Sequence, residues 1–237
     1  MQERIVSMHA FYKSKGEGVD GFLSRLVTAG KWPAMLVIHE WWGLEAHFRD
    51  MTRTFARAGY VALAPDLYHG KVTADWEEAG RLKTSLDLGR STQEIIDGIA
   101  YLKALPFVDP RRIGIIGFCM GGGLALLAIC RTKDIAAAVI YFQSMYPDPG
   151  ELLNISCPIL GHYGEDDIYT PRSEVEAFVK VLEDSGKPHE IHFYPNAGHA
   201  FVNDKHPELY RKEAAEASWP RTMEFFGRLL GRSGART

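Results

Sequence analysis

The chain has 237 residues, 46% of them hydrophobic and 24% charged, with a formal net charge of −3. This is the composition of a globular protein long enough for a three-layer core. No basic stripe points to nucleic acid, and no apolar run approaches the roughly 18 residues that a membrane span needs. Met1-Gln2-Glu3-Arg4 lacks the basic, apolar and small-residue order of a signal peptide, so the expectation is a cytoplasmic monomer without a membrane or nucleic-acid partner. The three cysteines, Cys119, Cys130 and Cys157, have no CxxC spacing and form neither a disulfide framework nor a zinc site.

Residues 4–12 and 21–28 alternate in hydropathy around the Gly-rich stretch 14–21 and read as an N-terminal hairpin over about 4–28. Ala34-Met35-Leu36-Val37-Ile38 is a strand apolar on both faces. A helix follows over about 45–58, with Phe48, Met51, Thr52 and Phe55 on one face and Gly59 as its stop. A buried strand at 60–64 ends at Pro65. A weaker helix covers 75–88, and Ser91 with Glu94 forms a capping box before a stripe of Ile95, Ile96, Ile99, Leu102 and Leu105. Further strands fall at 135–142, 158–163 and 190–194, with helices at 172–185 and 207–230. Apolar strands alternating with helices over 1–237 specify a single α/β domain, a mainly parallel sheet with helices on both faces. Only a short connection separates the strands near 142 and 158, which leaves no room for a large lid.

The informative stretch lies between the capping box and the 135–142 strand. Ile113-Gly114-Ile115-Ile116 reads as a buried strand, Gly117-Phe118-Cys119-Met120-Gly121 as a turn, and Leu124-Ala125-Leu126-Leu127-Ala128-Ile129 as a helix. This is the Gly-x-nucleophile-x-Gly elbow of α/β-hydrolases, with cysteine in the usual place of serine. The glycines two residues either side give room for a sharp, strained turn. The turn aims backbone N–H groups and the positive helix end at the thiol. Cys130 and Cys157 read as inert buried thiols.

Such an elbow needs a histidine base and an orienting acid, in the chain order nucleophile, acid, base. His199, in the turn Pro195-Asn196-Ala197-Gly198-His199-Ala200-Phe201 directly after a strand, is the candidate base. The acid belongs to the turn Gly164-Glu165-Asp166-Asp167-Ile168-Tyr169-Thr170-Pro171, where the residues alone leave three carboxylates open. The Met120 N–H, and that of Trp41 after the 34–38 strand, are the candidate oxyanion donors. The reaction these parts imply is attack of a thiolate on an ester or lactone carbonyl, then hydrolysis of the acyl-enzyme by water, with no cofactor and no metal.

Five segments together resemble the dienelactone hydrolase family: Gly117-Phe118-Cys119-Met120-Gly121-Gly122, His39-Glu40-Trp41-Trp42-Gly43-Leu44, Ala64-Pro65-Asp66-Leu67-Tyr68, Gly164-x-x-Asp167-x-x-x-Pro171 and Ala197-Gly198-His199-x-Phe201. They occur in order over roughly 30–204. The resemblance implies a triad of Cys119, Asp167 and His199, because Asp167 has the family's offsets from the glycine and the proline. It also implies that Glu40 holds the resting thiol until substrate releases it to the histidine. The namesake enzyme, a carboxymethylenebutenolidase, has an arginine four residues after the histidine to grip the substrate carboxylate; here that residue is Asn203. Arg81 is the candidate counterpart of a second family arginine. Trp41, Trp42, Tyr68 and Phe201 are candidates to line an apolar acyl pocket. The expected activity is hydrolysis of small carboxylic esters or lactones, with true dienelactone hydrolysis as a narrower alternative. A non-catalytic ligand receptor on the same fold has no need for all three triad members, and a redox sensor lacks a resolving cysteine.

Overall fold

The computed structural model of the chain describes residues 4–231. Met1, Gln2 and Glu3, which the targeting argument used, lie outside the described residues, as do 232–237. The elements in order are β1 (Ile5–Ser14), β2 (Glu17–Leu26), β3 (Trp32–Ile38), α1 (Ala46–Arg57), β4 (Val61–Pro65), α2 (Trp76–Thr84), α3 (Leu88–Ala104), β5 (Val108–Phe118), α4 (Met120–Arg131), β6 (Ala137–Tyr141), α5 (Pro149–Leu152), β7 (Ile159–Gly164), α6 (Arg172–Asp184), β8 (His189–Tyr194) and α7 (Lys212–Leu230). The eight strands form one sheet in the order β1-β2-β4-β3-β5-β6-β7-β8. β1 and β2 pair antiparallel, as do β2 and β4; all later pairs are parallel.

The two faces are covered by different helices. On β3, Leu36 points to Gly98 of α3, while its neighbour Met35 lies beside Gly114 of β5, where Phe226 and Leu230 of α7 also converge. Successive strand side chains face opposite ways, so α3 and α7 sit on opposite sides of the sheet. Phe55 of α1 packs on Trp219 and Phe226 of α7, which places α1 with α7. β3 beyond Trp32, β4 and the inner half of β5 are buried, which is why their sequences are apolar without alternation.

Three boundaries differ from the sequence expectation. The hairpin turn is only Lys15-Gly16, both at positive φ, and the ladder runs on through Gly18 and Gly21. Gly21 needs its glycine because a Cβ there would meet the Ala64 carbonyl of β4 at 2.8 Å. The region read as one helix over 75–88 breaks at Ser85, and α3 starts at Asp87, whose side chain accepts from the Arg90 N–H at 3.0 Å. Ser91 and Glu94 are buried within that helix rather than capping it. The last helix starts at Lys212 instead of 207, because 200–211 is held in turns by Asn203 N–H to Ala200 O at 3.1 Å and Arg211 N–H to Phe201 O at 2.9 Å. The stretch between β6 and β7 carries only the one-turn α5, in accord with the expected lack of a lid. No helix among the described residues is long and apolar enough to cross a membrane.

If Asp87 rather than Ser91 is the cap, Asp87→Ala should lower unfolding stability by about 1 kcal/mol, read from the urea midpoint; an unchanged midpoint contradicts the assignment.

Candidate active site

Cys119 ends β5 at φ 52° and ψ −118°, a strained conformation for a non-glycine residue. The close approach that forces this turn is visible in its glycines. A Cβ on Gly117 would collide with the Gly121 carbonyl, and one on Gly121 with the carbonyls of Ile38 and His39. The Cys119 N–H bonds Tyr141 O at 3.0 Å, and its carbonyl accepts from Gly122, Gly123 and Ser144 N–H. The backbone is thereby fixed on both sides of the sulfur. The thiol stands at the N-terminus of α4, where the helix dipole favours negative charge.

β7 and β8 deliver the other two groups from their carboxyl ends. Of the three carboxylates after β7, Glu165 and Asp166 are exposed and Asp167 is buried. The Asp167 carboxylate accepts from the Tyr169 and Thr170 N–H groups on Oδ1, at 2.8 and 3.0 Å, and from His199 Nδ1 on Oδ2, at 2.8 Å. With Nδ1 committed, the other ring nitrogen faces the Cys119 thiol, to which the ring is hydrogen-bonded. Burial disfavours the charged imidazole. The negative charge available on Cys119 and the hydrogen bonds to Asp167 and Cys119 outweigh it, and the ring is raised to about 10. Phe142 and Tyr169 pack edge-on against it at 5.0 and 5.4 Å, which fixes its orientation.

β3 supplies the opposite wall. His39 fastens the loop: its Nδ1 donates to Glu40 O at 2.6 Å and its Nε2 accepts from Leu67 N–H at 3.2 Å. Burial lowers the His39 imidazole below its usual range, so it serves as a neutral bridge. The Trp41 N–H and the Met120 N–H donate to no protein acceptor among the described residues. Trp41 lines the cavity of about 130 Å³ that Cys119 and His199 share with Glu40, Trp76, Lys83 and Tyr169, and Met120 directly follows Cys119 in the chain. Among the described residues no cluster of three or more His, Cys, Asp or Glu side chains is arranged to hold a metal ion.

Glu40 is 1% exposed. Burial raises its carboxyl to about 7, against the Asn203 hydrogen bond and the His199 charge, which favour ionisation; Glu45 raises it further. Glu40 Oε2 accepts from Asn203 Nδ2 at 2.9 Å, and Oε1 is buried without a protein partner. In this conformation the thiol is bonded to His199 and Glu40 to Asn203, so the glutamate–thiol contact implied by the resemblance is not the one observed.

The profile of the dienelactone hydrolase family matches residues 19–230. The chain belongs to the dienelactone hydrolase family. "Protein usf" of Aquifex pyrophilus is 30% identical over 229 residues, covering 92% of this chain and 97% of that protein. An Escherichia coli (strain K12) protein named "putative carboxymethylenebutenolidase" is 30% identical over 244 residues, covering 97% and 90% respectively. A crystal structure described as a "putative dienelactone hydrolase", from Klebsiella pneumoniae subsp. pneumoniae MGH 78578, superposes with a TM-score of 0.88 at 27% identity, over 95% of this chain and 99% of that one. The chain is a carboxylic ester hydrolase of this family.

Several residues expected to touch substrate in this family member lie elsewhere. Arg81 is on the exposed side of α2, ion-paired with Glu77 and Glu78, because the apolar face of that helix is formed by Ala79 and Leu82. Lys83 lines the cavity instead. Phe201 is fully buried among Tyr141, Phe142 and Tyr194. Trp42 is fully buried behind the wall, stacked on His206 at 4.3 Å. Tyr68 donates its hydroxyl to Met120 Sδ at 3.2 Å, supporting the elbow from outside the cavity. Asn203 is buried beneath Glu40 and presents no donor to the cavity. Trp41 alone of the expected aromatics lines it.

The residues the sequence reading missed are Trp76, Lys83 and Tyr169. Trp76 forms mutual edge contacts with Trp41 and Trp42 at 5.3 and 5.1 Å yet remains 44% exposed, and Tyr169 is 62% exposed. Exposed aromatics at a turn and a helix start were the available signal. Cys130 and Cys157 are buried thiols pushed up to about 12 by that burial, so they stay protonated.

A carboxyl raised from 4.5 to about 7 binds its proton more tightly folded than unfolded. Its contribution to stability is therefore complete at low pH and declines as pH rises from 4.5 to 7. Glu40→Gln, which keeps an acceptor for Asn203, should remove that decline. Relative to wild type the variant should gain about 3 kcal/mol between these pH values and nothing more above them, measured by urea unfolding at several pH values. A pH-independent difference contradicts the argument.

Proposed function

We propose that the chain hydrolyses small carboxylic esters or lactones through a thioester on Cys119. The supporting observation is His199, bonded at once to the Asp167 carboxylate and to the Cys119 thiol. With the ring held by Asp167 and raised to about 10, His199 is the base that takes the proton of the thiol, and the sulfur is the nucleophile. The sulfur attacks the substrate carbonyl carbon, and the carbonyl π electrons move onto oxygen. That oxyanion takes the free N–H groups of Trp41 and Met120 and the positive end of α4. On collapse the C–O bond to the leaving group breaks, and His199 gives its proton to the departing alkoxide. The now neutral imidazole takes a proton from water, the hydroxide adds to the thioester, and Cys119 leaves as thiolate beside the recharged imidazolium. Asp167 holds the ring orientation throughout.

The cavity suits a small acyl group against the Trp41 and Trp76 rings, and its rim is open. A narrower reading, a substrate carrying a carboxylate as the dienelactones do, is favoured by Lys83. Among the described residues it is the one lysine or arginine lining the cavity, and it forms no ion pair there. The cytoplasmic, monomeric state is part of the same proposal.

Cys119→Ala should reduce turnover of a short aryl ester to background, and His199→Ala should lower kcat by about 10³-fold. Mass spectrometry of the quenched wild type should show the acyl group on Cys119; near-normal turnover by either variant refutes the triad. In a substrate panel, Lys83→Met should leave neutral esters within about twofold and raise KM for a carboxylate-bearing lactone by about tenfold, the loss of one charged hydrogen bond. Equal effects on both classes exclude the narrower reading.

A further inference from the structure

Asn203 makes an unusual set of bonds. Its Oδ1 accepts from the Lys205 N–H at 3.0 Å, which fixes the amide so that both Nδ2 protons point the other way. One goes to Glu40 Oε2 and the other to Glu45 Oε1, each at 2.9 Å. A single neutral amide therefore joins two carboxyl groups, with Glu40 fully buried and the Glu45 side chain 14% exposed. Neither carboxyl is paired with a lysine or arginine among the described residues; Glu45 has only His206, at 3.9 Å. An arginine at position 203 would add a charge, whereas the amide supplies geometry alone.

Building on the proposed function, we propose that Glu45, tied to Glu40 through the Asn203 amide, is a positioning residue which keeps Glu40 protonated while the ester is attacked, with the Asn203 bond opposing it. Two neighbouring carboxyl groups with no lysine or arginine paired to either resist carrying two charges, and the buried Oε1 of Glu40, without a protein partner, makes Glu40 the one to hold the proton. The direction of the Glu40 titration agrees. The consequence for catalysis is local: Glu40 adjoins Trp41, whose N–H receives the oxyanion. A carboxylate there repels the charge that the transition state develops, whereas a neutral carboxyl does not. The charged and titratable groups facing Glu40 are His39 and Glu45 from its own loop, Cys119 from the elbow, His199 from the turn after β8 and Lys83 from α2. His206 acts at one remove through Glu45.

The test is the pH dependence of kcat/KM for a neutral aryl ester, between pH 5 and 10, in wild type, Glu40→Gln, Glu45→Gln and Asn203→Leu. The wild type should lose activity as pH rises through the neutral range, and Glu40→Gln should lack that limb. Glu45→Gln removes the neighbouring charge and should move the limb down by about half a pH unit or more. Asn203→Leu removes the bond that favours the carboxylate and should move it up. Opposite shifts are not produced by general loosening of the site. Carbon-13 NMR of labelled glutamate, with Glu40 assigned by its loss in Glu40→Gln, should show the same order of titrations without any turnover. If Asn203→Leu does not fold, Glu45→Gln decides alone. A limb unmoved in Glu45→Gln, or a Glu40 carboxyl that titrates below pH 5, overturns the proposal. Absence of a thioester in wild type, with the NMR shifts intact, instead overturns the proposed hydrolysis.

Discussion

The site depends on one close approach of backbone to backbone, where β5 turns into α4. Gly117 and Gly121 let the chain reverse within van der Waals distance of Ile38 and His39, and Cys119 is left at φ 52°. Neither glycine has a substitute, because the atoms that a side chain would meet are main-chain carbonyls, that of Gly121 for Gly117 and those of Ile38 and His39 for Gly121. The strain at Cys119 is tolerable because the buried sheet around it fixes the backbone; β3 and β6 both pair with β5 up to the turn. The sulfur, the Met120 N–H and the helix end then share one geometry, and their alignment needs no side-chain packing of its own.

Around that fixed point the carboxyl groups are placed by protein donors. The Asp167 side chain is fully buried and its three acceptor bonds are all met by protein donors, which lets it face an imidazolium without penalty. Glu40 is the contrast: equally buried, with one bond and one bare oxygen. Two carboxyl groups in one site thus have different surroundings, set by how many donors each receives. The stability lost at Glu40 is localised where a second negative charge would harm the reaction.

Much of this was legible in the sequence. The strand order of events, the elbow, His199 and the absence of a lid follow from apolar runs and glycine spacing, since these are local signals tied to backbone geometry. Asp167 was separable from Asp166 only by resemblance, and the physical distinction, burial against exposure, comes from a tertiary contact with the turn after β8. The substrate wall was read poorly. Arg81 and Lys83 are two residues apart on one helix, and a weak apolar stripe could not say which faced inwards. Phe201 and Trp42 are aromatic in a motif and buried in the core, while Trp76 and Tyr169 reach the cavity from segments with no motif. Asn203 read as a missing substrate clamp because sequence shows the residue type and not the carboxyl groups it joins.

The single turn of α5 leaves the mouth of the cavity to two solvent-facing rings, Trp76 and Tyr169. On the proposed function, a hydrolase built this way offers a lipid surface nothing to open, and its rate should follow the concentration of dissolved monomeric substrate, with no gain when that substrate forms micelles.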